Sequence, residues 1–269
     1  MKERDVGDCV SLFRTPLILL YFIVACTSQP QSLHNEAEKQ FRAGNYQTSR
    51  SLYIQIAENF PKSRQAPDAY YWAGMISYLY LKEPKRAIDY FQKVISDYPA
   101  SEAVIPTRGY LAEIYDKEFH EPRLAIGEYQ KMIEETPEHL NEDEYLYRIG
   151  EVYFNQGDLD QSKIEWEELI KKYPSGKWTD RAAFQVAMTS MIRQNFEEGL
   201  RQMNEFIKTY GKSSFLTEAR FERAVCLEET GRKGEAIQAY QELLSSYPNR
   251  PVIEGRLKRL SEKQEVPPS

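Results

Sequence analysis

A two-residue mark recurs along this chain at a nearly fixed interval: Phe60-Pro61, Tyr98-Pro99, Thr136-Pro137, Tyr173-Pro174, Tyr210-Gly211 and Tyr247-Pro248. The second residues of successive marks lie 38, 38, 37, 37 and 37 positions apart. A period of that size belongs to stacked supersecondary units, none of which can bury its apolar face alone. The repeat therefore restricts the fold before any local propensity is weighed.

The interior of each unit repeats as well. Twelve residues ahead of the mark sits a small residue: Ser49, Ala87, Ala125, Ser162, Gly199 and Ala236. Four positions on comes a large one: Tyr53, Phe91, Tyr129, Trp166, Met203 and Tyr240. Three further lies an apolar one: Ile56, Val94, Met132, Leu169, Phe206 and Leu243. Offsets of 0, +4 and +7 make one stripe of an amphipathic helix. Another small position stands 12 or 13 residues upstream, at Ala37, Gly74, Ala112, Gly150, Ala187 and Ala224. Seven residues past it, Gly44, Gly157 and Gly231 suit the end of a first helix. In two units the turn is one residue longer and carries Glu83-Pro84 or Glu121-Pro122, with proline in the first turn of the next helix, where its missing N–H is not needed. Each unit reads as helix, turn, helix, crossing closely at the small positions.

This pattern resembles the tetratricopeptide repeat, with its small residues twelve apart, its turn between them, its aromatic four after the second and its terminal proline. The resemblance covers roughly residues 33–250. It implies an all-α, right-handed superhelical solenoid of about six helix-turn-helix units. Residues 251–261, with Ile253, Leu257 and Leu260 on one edge, are expected to form a capping helix, and 262–269 a loose tail.

Composition agrees with a folded chain: 28% charged residues are balanced by 13% aromatic ones, including 19 Tyr. The net charge of −6 arises from interspersed acids and bases, and no basic run tracks phosphates, so a nucleic-acid partner is not expected.

At the N-terminus, residues 17–25 form a nine-residue apolar run behind Arg14. That is the length of a signal-peptide core, and a bilayer-spanning helix needs about 20 residues. The run closes in Ile23-Val24-Ala25-Cys26, which resembles the lipobox of bacterial lipoproteins. The resemblance implies a signal peptide over 1–25, lipidation of Cys26, a spacer over 26–32 and anchoring to membrane through that lipid. Thr27 in place of Asp points to the periplasmic face of the outer membrane. Cys9 falls in the removed segment, which leaves Cys226 as a small apolar residue of a helix.

No catalytic or metal-binding arrangement is legible. His34, His120 and His139 are widely separated, and the acidic residues fall on polar helix faces. No enzyme activity and no cofactor are expected. A binding role is expected instead, because in tetratricopeptide arrays the first helices line the concave wall. At its wall positions this chain places Tyr71, Met75, Tyr78, Tyr147, Phe154, Phe184, Met188 and Phe221, residue types that protein hot spots favour. A lipid cysteine, a short spacer and such repeats resemble BamD/YfiO-type lipoproteins. That resemblance implies the barrel-assembly machinery and nascent barrel proteins as partners. Tol–Pal-associated repeat proteins, which coordinate the envelope and its peptidoglycan, and polysaccharide-export scaffolds are the alternatives.

Overall fold

The computed structural model describes residues 16–136 and 140–262, with side chains placed from residue 29 onward. The charged stretch ahead of the apolar run, the third mark at Pro137 with His139, and the tail from 263 lie outside the described residues. Among the described residues there are thirteen helices and no strand. They are α1 (Pro16–Arg42), α2 (Tyr46–Asn59), α3 (Ala66–Leu79), α4 (Pro84–Asp97), α5 (Val104–Lys117), α6 (Pro122–Glu135), α7 (Glu142–Asn155), α8 (Leu159–Lys172), α9 (Thr179–Ile192), α10 (Phe196–Thr209), α11 (Leu216–Glu229), α12 (Lys233–Leu243) and α13 (Arg250–Glu262). α1 packs on α2, α3 on α4, α7 on α8, α9 on α10 and α11 on α12, and α13 follows the last. No described helix is long and apolar enough to cross a membrane.

The chain divides into two compact units, Met1–Ile114 and Tyr115–Ser269. Within each, a small residue of the first helix meets a large one of the second. A Cβ added at Gly74 would fall inside the contact distance of the Phe91 ring, and one at Gly150 inside that of the Trp166 indole. Only glycine lets the helices close at these two crossings. Where the small residue is serine it also bonds: Ser49 Oγ donates to the Ala37 carbonyl at 2.8 Å, joining α2 to α1. Of the large residues, Tyr53, Phe91, Trp166, Met203 and Tyr240 are at most 1% exposed, so the repeating stripe is the core.

The turns inside the pairs share one backbone solution. Gly44, Gly157 and Gly231 have φ of 78°, 81° and 77°, as the sequence pattern predicts. In the remaining pairs the equivalent residue is Lys82, His120 or Gln194, with φ of 57°, 53° and 59°. A left-handed residue is required to end the first helix and aim the second. Three copies thus hold it without glycine, at a cost of roughly 1–2 kcal/mol each. Pro84 and Pro122 begin α4 and α6. Asp158 and Asn195 cap α8 and α10, their side chains accepting from the amides of Gln161 and Glu198.

The recurring tyrosine of the mark has a packing purpose of its own. Tyr173 donates its hydroxyl to Glu142, and Tyr247 to Glu218 at 3.2 Å. Each bond ties the end of a second helix to the start of its own first helix. Glu142 is 4% exposed and pairs also with Lys172. In the other unit Arg50, buried on α2, pairs with Glu83 and donates to Ser77 Oγ at 3.2 Å, fastening α2 to the α3–α4 turn.

Candidate protein-binding surface

The eight wall residues divide on inspection of their surroundings. In the first unit Tyr71 is half-buried among Trp72, Phe91 and Tyr110, with centroids 6.2, 6.4 and 6.0 Å away. Burial pushes its hydroxyl up to about 12. Met75 and Tyr78 are 7% and 8% exposed, with Tyr78 edge-on to Tyr110. In the second unit Tyr147 is 1% exposed, stacked on Trp166 at 6.0 Å and tilted against Trp178 at 5.0 Å. Phe184 stacks on Phe215 at 5.2 Å, and Phe221 on Tyr247 at 4.6 Å. Phe154 is half-buried with its ring 5.8 Å from Trp166, and Met188 is half-buried on α9.

Most of these side chains are therefore spacers between helices. The position three before the small residue of a first helix looks outward on an isolated helix. In the folded pair, a ring of the second helix and one of the linker that follows cover it: Trp166 and Trp178 over Tyr147, Phe206 and Phe215 over Phe184, Tyr240 and Tyr247 over Phe221. The expectation of a wall whose anchors are Tyr147, Phe184 and Phe221 narrows accordingly: these rings hold the wall's shape, and other groups present its surface. Cys26 lies on the α1 backbone, and its side chain is outside the described set.

The groups that do reach the surface include ones the sequence reading passed over. Leu79 and Tyr80, 37% and 41% exposed, close the end of α3, with the Tyr80 ring beside Phe41 and Tyr46. In the second unit Ile192 at the end of α9 is 49% exposed. On the same unit a ladder of arginines and rings crosses from α7 to α11. Arg148 and Arg181 each lie 4.9 Å from the centroid of Trp178, and Arg181 also approaches Phe215 at 5.4 Å and Tyr147 at 5.7 Å. Trp178 and Phe215 occupy equivalent places, four residues past Pro174 and Gly211, immediately before α9 and α11. Aligning the copies beyond their helices would have revealed that coincidence, since the two residues share a repeat position but belong to no amphipathic stripe.

The charges of the ladder are not equivalent. Arg148 is ion-paired with Glu151 at 2.8 Å and Glu144 at 3.6 Å. Arg181 makes no side-chain hydrogen bond or ion pair among the described residues; its guanidinium is held by rings alone. Beyond it, α11 carries Glu218 and the half-buried Glu222.

Burial, reinforced by neighbouring Glu218 and opposed by Arg256, pushes the Glu222 carboxyl up to about 7. The folded chain then holds this proton more tightly than the unfolded one, whose carboxyl titrates near 4.5. Its contribution to stability is full at acid pH, declines as pH rises from about 4.5 to about 7, and is flat above. Glu222→Gln is expected to match the parent near pH 4 and to exceed it by about 1 kcal/mol at pH 8, solvent screening reducing the full linkage value. Urea unfolding at the two pH values measures this, and a parent whose stability rises between them would refute it.

Among the described residues no group of three or more His, Cys, Asp or Glu could hold a metal ion. Cys226 is fully buried beside Gly199, its thiol pushed up to about 12, chiefly by burial. It packs rather than reacts.

Comparison with known proteins agrees with this geometry. The chain is similar to a tetratricopeptide repeat protein from Parabacteroides merdae, at 19% identity and a TM-score of 0.59, over 88% of this chain and 89% of that one. It is similar to PilW, a type IV pilus biogenesis factor, at 14% identity and 0.56, over 85% and 98%. It is also similar to PilF of Pseudomonas aeruginosa, at 12% identity and 0.54, over 86% and 97%. No curated protein sequence matches it. The family model for the tetratricopeptide repeat matches residues 68–101, 144–176 and 218–250. Those segments take in α3–α4, α7–α8 and α11–α12, and the fold of this chain is that of a tetratricopeptide-repeat protein.

Proposed function

We propose that this chain is a non-enzymatic scaffold that gathers protein partners of the bacterial cell envelope, tethered to the periplasmic face of the outer membrane through lipid on Cys26. The observation that carries the scaffold role is the allocation of side chains in the second unit. Its chemistry-bearing groups, such as Glu142 and Cys226, are buried in packing, while its first helices leave an aromatic-framed cation and apolar residues at the surface. A surface of that make-up binds polypeptide: aromatic residues and arginine are what interface hot spots favour. The tether rests on the Ile23-Val24-Ala25-Cys26 sequence. Within the envelope we favour outer-membrane protein assembly, as in BamD-type lipoproteins, because a lipid cysteine leads directly into the repeats.

Cross-linking in intact cells, purification of the full chain and mass spectrometry test the assignment. Barrel-assembly components among the leading partners are the expected result. Wall-synthesis, pilus or export proteins in their place would move the scaffold to another machine. The tether is tested separately: Cys26→Ala is expected to shift most of the chain from the membrane fraction to the soluble one. An unchanged distribution would refute lipidation.

A further inference from the structure

We infer that Arg181 is the anchor for an acidic side chain within an extended segment of a partner polypeptide, laid along α9. This deepens the scaffold reading by naming what the second unit recognises. Arg181 is a guanidinium with no internal acceptor, fixed over Tyr147, Trp178 and Phe215 at 4.9–5.7 Å. Held by rings on a folded helix, its fork of N–H groups is already oriented, so a carboxylate can bind it in two-pronged fashion with little further ordering. The neighbouring Arg148 is neutralised by Glu144 and Glu151, so the site offers one uncompensated positive charge. A single carboxylate matches it.

The rest of the stripe determines the context of that carboxylate. Met188 and Ile192 lie seven and eleven residues along α9 from Arg181, on the same face, and Ile192 is 49% exposed. At about 1.5 Å per helical residue they stand roughly 10 and 16 Å away, which an extended chain covers in about three to five residues. On the other side of Arg181 the Trp178 ring continues the apolar surface. A segment that covers both sides carries its acid internally, with an apolar residue three to five positions away.

The test uses ten-residue peptides of serine and alanine, acetylated and amidated, carrying one Glu and one Leu at varied separations. Binding to the full chain is read by fluorescence anisotropy. Tightest binding is expected at separations of three to five, and replacement of the peptide's Glu by Gln is expected to weaken it at least tenfold. Arg181→Gln should remove the same preference while lowering the melting temperature only slightly, through loss of its contacts with the three rings, since Arg181 makes no ion pair among the described residues. Arg181→Lys should retain only part of it, a point charge lacking the fork. Equal binding of Glu and Gln peptides overturns the inference. So does binding confined to peptides with a free C-terminus, or no binding by any blocked peptide. Because the assay needs no cellular partner, its failure is distinct from failure to capture envelope proteins.

Discussion

Trp166→Ala is expected to be the most damaging single substitution in the second unit, at about 3–5 kcal/mol, measured by urea or thermal unfolding. The indole is fully buried, stacks on Tyr147 and donates its N–H to the Tyr147 carbonyl at 3.1 Å. Truncation removes a large apolar surface, opens a cavity at the α7–α8 crossing and takes the donor from a buried carbonyl. Gly150→Ala attacks the same crossing from the other side, because the new methyl collides with the indole. Alone it is expected to cost about 1–3 kcal/mol, as overpacking does. The decisive measurement is the double variant. With the indole gone the methyl has room, so Gly150→Ala should cost almost nothing in the Trp166→Ala background. Additive losses would show that the small and large positions do not constrain one another, against the reading of the repeat as a set of matched crossings.

That matched pair is legible in the sequence because close helix crossings demand volume complementarity, and volume is written directly in residue type. Glycine or alanine twelve or thirteen residues before a small partner, with an aromatic four later, leaves few other ways to pack. Ile253 and Leu260, seven apart in the sequence, share one face of α13 and are both buried. The turns were readable only in part. Gly44, Gly157 and Gly231 announce a left-handed backbone, whereas Lys82, His120 and Gln194 adopt it with nothing in their chemistry to say so; the helices on both sides force it on them. The burial of the wall residues is legible only once the neighbouring elements are in place. A helical wheel treats Tyr147 as facing outward, since it contains only α7, yet Trp166 from α8 and Trp178 from the following linker close over the ring. Trp178 itself escaped notice because periodicity within a helix cannot register a residue just ahead of one, and Arg181 gains its significance only from the rings around it.

Glu228→Ala is expected to loosen the C-terminal cap at a cost of about 2–3 kcal/mol, less than a fully buried pair would show because both partners retain some contact with water. This carboxylate, on α11, accepts from Tyr240 of α12 at 2.9 Å and from Arg256 of α13 at 2.7 Å, so three helices meet on it. Arg256 lies over Phe221 and Tyr240, 5.5 and 5.8 Å from their centroids, and is 23% exposed in its side chain. Removing Glu228 strands that cation over two rings and takes the acceptor from a tyrosine hydroxyl whose own ionisation is already pushed up, mainly by burial. Hydrogen exchange should locate the effect: amides of α13 and the end of α12 lose protection while those of α7 and α8 keep theirs. The pair can also be replaced instead of broken. Glu228→Leu with Arg256→Met exchanges two desolvated charges for apolar contacts of similar volume, and is expected to recover most of the loss. If the double variant is no better than Glu228→Ala, the cap is held by its directional hydrogen bonds. If it recovers, the bonds specify where α13 docks, while Ile253 and Leu260 supply most of the energy that keeps it there.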